Sequence, residues 1–208
     1  MCGRYYLDDE IKDERLLEQF RQAVRISAKI CANIKTRGEI RPTDIAPVIA
    51  PSSLGRRTGA FPMQWGFNHP TRGMLVFNTR SETAKEKELF VTSVDDRRCL
   101  IPASCYFEWK KLENNKKEKY AFYSETREPL YLAGLYIRTS DEHRLPCFTI
   151  LTRDAGKELK QIHPRMPVIV PLDRAEEWLS PDTDFHTVVD SLSVPVTAES
   201  AQLLGQQS

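Results

Sequence analysis

The chain has 208 residues, 40% hydrophobic and 28% charged, which suits a soluble globular domain, and no apolar run approaches the length of a membrane span. Thirty Lys and Arg against 29 Asp and Glu leave a formal charge of +1, so bulk charge gives no reason for a nucleic-acid partner or an acidic substrate. Any such binding must come from a local cluster.

Asp8, Asp9, Glu10, Asp13 and Glu14 stand where a signal peptide needs apolar residues, so a cytoplasmic protein is expected. The cysteines are Cys2, Cys31, Cys99, Cys105 and Cys147, an odd set without a CxxC pair or a suitably spaced histidine. Neither a disulfide framework nor a metal is expected, and no cofactor.

In chain order, Leu16, Leu17, Phe20 and Val24 recur at helical spacing and predict a helix over 9–35, capped by Asp8 or Asp9 and ended before Gly38. Prolines 42, 47, 51 and 62 predict an extended, looping segment from 41 to 62. Strands are then expected at 74–78, 98–101, 105–109, 119–124, 130–137 and 146–151, all rich in aromatic or β-branched residues. Between them, helices are expected at 82–90, at 154–161, and at 173–179 with Asp173 and Glu176 as a capping box. The stretch LENNKKEK, 112–119, reads as a hairpin connection. The order implies one α+β domain over 2–208, a curled, mostly antiparallel, barrel-like sheet with flanking helices, and a disordered tail after about residue 196.

The most reactive feature is MCGRYY at the start. Removing Met1 would leave Cys2 with an amine and a thiol on adjacent carbons. The reference pKa of an α-amine is about 7.7–8.0, so a useful fraction is unprotonated near neutrality. Such a group can condense with an aldehyde and close a thiazolidine ring, or its sulfur can attack an acyl carbon while the amine serves as base.

Four other stretches carry candidate chemistry. VFNTRSET holds Asn78, Arg80 and Glu82 at a strand end, and CLIPASCYFEWK sets Glu108 in an apolar run where desolvation raises a carboxyl pKa. IHPRMPVIV places His163 and Arg165 between prolines, and FPMQWGF is expected to expose Trp65 and Gly66. Each has an ordinary structural explanation too: a solvent-facing Glu, a capping Asn, a hydrogen-bonded His.

Taken together, MCGRY, NTRSE, RCLIPAS with YFEW, and HPRMPVI, in that order, resemble the SRAP family of SOS-response-associated peptidase-like proteins. The resemblance implies a sensor of abasic sites in single-stranded DNA that loses Met1 and crosslinks through Cys2 to the ring-opened sugar aldehyde. It implies that Asn78 orients the amine, that Glu108 acts as general acid and base, and that His163 assists ring opening and proton transfer. Arg4 and Arg80 would pair with flanking phosphates, and Trp109 and the Trp65–Gly66 segment would stack or wedge against bases. Arg41 and Pro42 are further DNA candidates. The low net charge is compatible with this if Arg4, Arg80, Lys110, Lys111 and Arg165 gather in one groove.

In a regular strand Glu108 and Trp109 face opposite sides, so both reach one site only where the strand ends, bends or bulges. Two departures stand out: Cys105 where the family usually has glycine, and TDIAP where it often has Asn before Ala-Pro. A monomer is expected, cytoplasmic and nucleoid-associated when on damaged DNA, with strand cleavage by β-elimination as a side activity. The competing readings are an N-terminal-nucleophile cysteine peptidase or amidohydrolase, and a non-catalytic single-strand-binding module.

Overall fold

The computed structural model describes residues 2–8, 33–52, 58–138 and 145–201. Its strands are β1 (Arg4–Leu7), β2 (Gly38–Ile40), β3 (Ile45–Pro51), β4 (Thr58–Trp65), β5 (Phe67–Asn68), β6 (Leu75–Val76), β7 (Asn78–Arg80), β8 (Arg98–Ala103), β9 (Cys105–Lys111), β10 (Lys117–Ser124), β11 (Leu130–Ile137), β12 (Cys147–Asp154), β13 (Arg165–Pro167) and β14 (Val196–Ser200). The α-helices are α1 (Val91–Asp96), α2 (Ala175–Leu179) and α3 (Phe185–Ser191).

One sheet has the order β14-β10-β9-β1-β2 and is antiparallel throughout. The other runs β11-β8-β3-β4-β12-β13, and β11 also pairs with β12, so five of its strands close on themselves. Closure removes the free edges of those strands. Among the described strands, β12 pairs in parallel with β4 and β7. This is the expected α+β architecture with a curled, barrel-like sheet.

Five of the six expected strands formed, β11 over 130–137 without change, whereas the one expected at 74–78 splits at Phe77 into β6 and β7. The proline-rich segment differs: β3 and β4 are regular strands, with Pro47 directly opposite Pro62. Trp65 N–H donates to Asp44 O and Gln64 N–H donates to Pro146 O, which fixes the hydrogen-bond parity of the ladder. By that parity Pro47 and Pro62 sit at a pair whose nitrogens point away from each other. There β3 meets β8 only at Ile49, and β4 meets β12 only from Gln64 onward. Neither proline removes a ladder donor.

The helix expectations need correction. Residues 9–32 lie outside the described residues; beyond them Ile34 bridges Ile45, so the predicted helix does not reach 35. In place of a helix over 82–90 there is a 3-10 turn, Ser81–Thr83, followed by turns. Ala84 and Phe90 are both buried, a spacing that a straight helix would put on different faces. Over 154–161, β12 persists to Asp154 because Thr152, Arg153 and Asp154 pair with β13, leaving one turn at Leu159–Gln161. Asp173 caps nothing; α2 starts after a 3-10 turn, with Arg174 at the N-cap. The unexpected α3 is capped by Asp184, which accepts the Thr187 N–H at 2.9 Å. Of the tail expected after about 196, residues Val196–Ser200 form β14, an edge strand on β10 from Tyr120↔Ser200 to Ser124↔Val196, and 202–208 lie outside the described residues.

The main core lies between the sheets around Tyr5, Trp65, Tyr106, Phe122 and Phe148. A second core sits under the helices around Leu100, Trp178 and Phe185. Arg98 joins the two helical regions: its guanidinium donates to Val94 O (2.7 Å) and Thr183 O (2.7 Å) beneath the Trp178 ring.

Candidate active site at the N-terminal strand

Residue 2 precedes β1, which pairs with β9 on one side and β2 on the other. Cys2 is fully buried, and its carbonyl accepts a 2.7 Å hydrogen bond from Asn78 Nδ2. Asn78 opens β7, which runs parallel to β12; alternation sends Asn78 and Arg80 to one face and Thr79 into the core, against Thr149 at 3.0 Å. The Cys2 carbonyl needs a donor, which fixes the amide orientation and leaves Asn78 Oδ1 buried without a partner.

Glu108 lies on the inner face of β9, only 3% exposed. Burial pushes its carboxyl up to about 7, although the Trp109 backbone N–H favours the charged form. His163 follows the Leu159–Gln161 turn, and its Nδ1 is 3.5 Å from Glu108 Oε1. The same nitrogen is 3.0 Å from Arg165 O and 3.2 Å from Arg165 N, so either tautomer finds a partner. Burial lowers the imidazole pKa. Raising a carboxyl and lowering an imidazole brings their proton affinities together, the condition under which a proton passes between them near neutral pH.

Burial, then the nearby Glu108 carboxylate, raises the Cys2 thiol well above its ordinary value. The hydroxyls of Tyr5 and Tyr106, both sensitive to the charge on Cys2, are also buried without hydrogen-bond partners. Each such atom costs about 1–3 kcal/mol, a cost that a polar ligand group can relieve. Sequence reading missed both tyrosines, because nothing local distinguishes them from core residues.

The sequence-predicted residues do not all share one place. Cys2, Asn78, Glu108 and His163 come together. Arg80 is exposed beside Asn78, in a groove of about 890 Å³ that Arg72, Met74, Leu75 and Phe77 also line. β9 pairs regularly with β10 through Lys111, so Glu108 and Trp109 do face opposite sides. Trp109 stands on the outer face, with the Arg4 guanidinium 5.3 Å from its ring centroid. Arg41 also reaches that face, pairing with Glu39 at 2.9 Å, and Pro42 sits half-buried in the following turn. The departure at TDIAP is accounted for locally: the Asp44 carboxylate accepts the Arg41 N–H at 2.8 Å and pairs with Lys35 at 2.6 Å.

Two expectations fail. Trp65 is not exposed: it is fully buried, donates Nε1–H to Phe77 O at 2.8 Å and stacks near-parallel on Phe148. The alternation of β4 points Met63 and Trp65 into the core together. Gly66 is required for its conformation and tight fit, with φ +85° and Phe77 Cβ 3.1 Å from where a Cβ would lie. The cations do not gather in one groove either. Arg165 is only 13% exposed in its side chain, held by Glu82 (2.7 and 2.8 Å), Asp154 (2.6 Å) and Thr152 O (2.6 Å).

Among the described residues no helix is long and apolar enough to cross a membrane, and no cluster of three His, Cys, Asp or Glu side chains could hold a metal.

Fold and site define a single-domain α+β barrel protein with a cluster of buried polar side chains around its second residue. The chain belongs to the SOS response associated peptidase (SRAP) family, whose profile matches residues 1–204. It is 30% identical over 213 residues to the abasic site processing protein YoaM of Bacillus subtilis (strain 168), covering 96% of this chain and 88% of that one. It is 31% identical over 107 residues to the abasic site processing protein YedK of Escherichia coli (strain K12), covering 50% of this chain and 47% of that one. A crystal structure of a protein from Bacteroides thetaiotaomicron shares the fold, with a TM-score of 0.74 at 20% identity over 99% of this chain and 95% of that one.

Proposed function

We propose that the protein binds single-stranded DNA and captures abasic sites covalently through Cys2 once Met1 has been removed. The carrying observation is the meeting of residue 2, clamped by Asn78, with a buried carboxyl whose pKa lies near 7. The names of the relatives, abasic site processing proteins, support the same reading.

A thiol that holds its proton this tightly is a poor first nucleophile, so the freed amine attacks the sugar aldehyde. Loss of one water gives an imine; the sulfur then adds to the imine carbon, its proton passes to nitrogen, and a thiazolidine ring closes. Glu108 donates a proton to the departing water and accepts the thiol proton, and His163 relays protons to and from the opening sugar ring. Asn78 orients the amine. Arg4 and Arg80 pair with flanking phosphates, and Trp109 offers a ring face to a base on the outer face of β9.

The test is a denaturing gel of Met1-free protein mixed with a single-stranded oligonucleotide holding one abasic site. A slow band absent with the undamaged oligonucleotide and with Cys2→Ala is expected; absence of the band overturns the proposal. A second reading, peptide-bond hydrolysis by Cys2, draws on the family's description as a peptidase. It requires an acyl-enzyme on Cys2, visible by intact mass and absent in Cys2→Ala. A non-catalytic module would retain DNA in Cys2→Ala and form no adduct in the wild type.

A further inference from the structure

The outer face of the five-stranded sheet carries a charge cluster that the chemistry proposed at Cys2 does not use. Register places Glu39 beside Tyr6, Arg4 beside Phe107 and Trp109 beside Lys119, so strand alternation brings all six onto one face of β2, β1, β9 and β10. Glu39 Oε1 accepts from Arg4 (2.7 Å) and from Arg41 (Nε at 3.0 Å, Nη2 at 2.9 Å), and Oε2 accepts from Lys119 (2.5 Å). Three cations therefore surround one carboxylate, an excess of two positive charges.

The cations rest on apolar supports. Lys119 Nζ lies 3.7 Å above the Phe107 centroid, stretched across β9 and β1 to reach Glu39, and the Arg4 guanidinium lies over Trp109. Their side chains stay 30% and 36% exposed, so the cluster is open to solvent on one side.

We propose that Arg4, Arg41 and Lys119 form a binding site for one backbone phosphodiester of single-stranded DNA, which Glu39 occupies in the free protein as a built-in mimic. A carboxylate presents two anionic oxygens from one centre, as the two non-bridging oxygens of a phosphodiester do, and the same three donors satisfy either. Displacing Glu39 returns a carboxylate to water and brings a phosphate into contact with Trp109, whose ring then stacks on the adjoining base. Glu39 thus lowers affinity for undamaged strands and keeps long cationic side chains in binding position, a preorganisation that reduces the ordering cost on association. The inference rests on the single-strand binding proposed above and adds Lys119 and Glu39 to it.

The test measures binding of a labelled, undamaged oligo-dT by full-length wild type, Glu39→Gln and Lys119→Met across a salt series, each variant's thermal midpoint establishing that it is folded. Glu39→Gln is expected to bind several-fold more tightly, with a log–log salt slope steeper by about 0.7. Lys119→Met is expected to bind several-fold more weakly, with a slope shallower by about 0.7. A folded Glu39→Gln with wild-type or weaker affinity and an unchanged slope overturns the inference; a lowered midpoint with no change in slope in both variants assigns the cluster to stability alone. A wild type that neither binds oligo-dT nor crosslinks an abasic oligonucleotide removes the proposed function and this inference together. A wild type that does both while the variants match it removes only the inference.

Discussion

Asn78 and Cys2, 76 positions apart in the chain, are joined by a 2.7 Å hydrogen bond from the Asn78 amide to the Cys2 carbonyl. The bond ties residue 2 to β7 and thereby to the barrel. Asn78→Ala removes a contact worth about 0.5–1.5 kcal/mol and frees residue 2 to move away from Glu108 and His163. The abasic-site crosslinking rate is expected to fall about tenfold, followed by quenched time points on a denaturing gel, while the thermal midpoint moves little.

Glu108 sets the pH dependence. With its pKa near 7 in the folded protein, the crosslinking rate should change slope around that pH, and Glu108→Gln should be slow and lack the break. Stability follows the same group with a definite sign. A carboxyl raised from 4.5 to about 7 holds its proton more tightly folded than unfolded, so its contribution is most favourable below pH 4.5 and is lost as pH rises toward 7. Thermal midpoints of wild type and Glu108→Gln at pH 5 and pH 8 should therefore diverge, the variant gaining relative stability at the higher pH.

Arg80 and Arg165 should behave differently although both come from motif stretches. Arg80 is exposed beside Asn78, whereas the Arg165 guanidinium is enclosed by Glu82 and Asp154. Arg80→Gln is expected to reduce the salt slope of strand binding by about 0.7. Arg165→Gln should leave that slope unchanged and lower the thermal midpoint, because it strips two carboxylates and the Thr152 carbonyl of their donor.

The tryptophans separate in the same way. Trp65→Ala opens a cavity in the main core and should cost about 3–5 kcal/mol of stability in denaturant unfolding. Trp109→Ala should leave unfolding nearly unchanged and weaken single-strand binding by about 1–3 kcal/mol, read by fluorescence anisotropy.

These contrasts also mark where sequence was readable. Strands β8 to β12 were legible because their aromatic and β-branched runs announce themselves locally. β3 and β4 were not, since proline density argues against strands unless the register is known, and the register that makes Pro47 and Pro62 harmless is a tertiary fact. The helix expected at 173–179 is present over Ala175–Leu179, but those expected at 82–90 and 154–161 are replaced by turns and strand, because short turns here are placed by the packing of residues such as Ala84 and Phe90 rather than by propensity. Cys2, Asn78, Glu108 and His163 could each be picked out from their own stretch, but only the fold brings Glu108 and His163 to 3.5 Å. The ion cluster joining Glu39 to Lys119 across 80 positions left no local trace at all.

The most direct test of the central claim is the intact mass of the adduct formed by Met1-free protein with an abasic oligonucleotide. The expected mass is the sum of the two reactants less one water, located to Cys2 by fragmentation. An adduct of equal yield on Cys2→Ala, or full crosslinking by protein that still carries Met1, would contradict it.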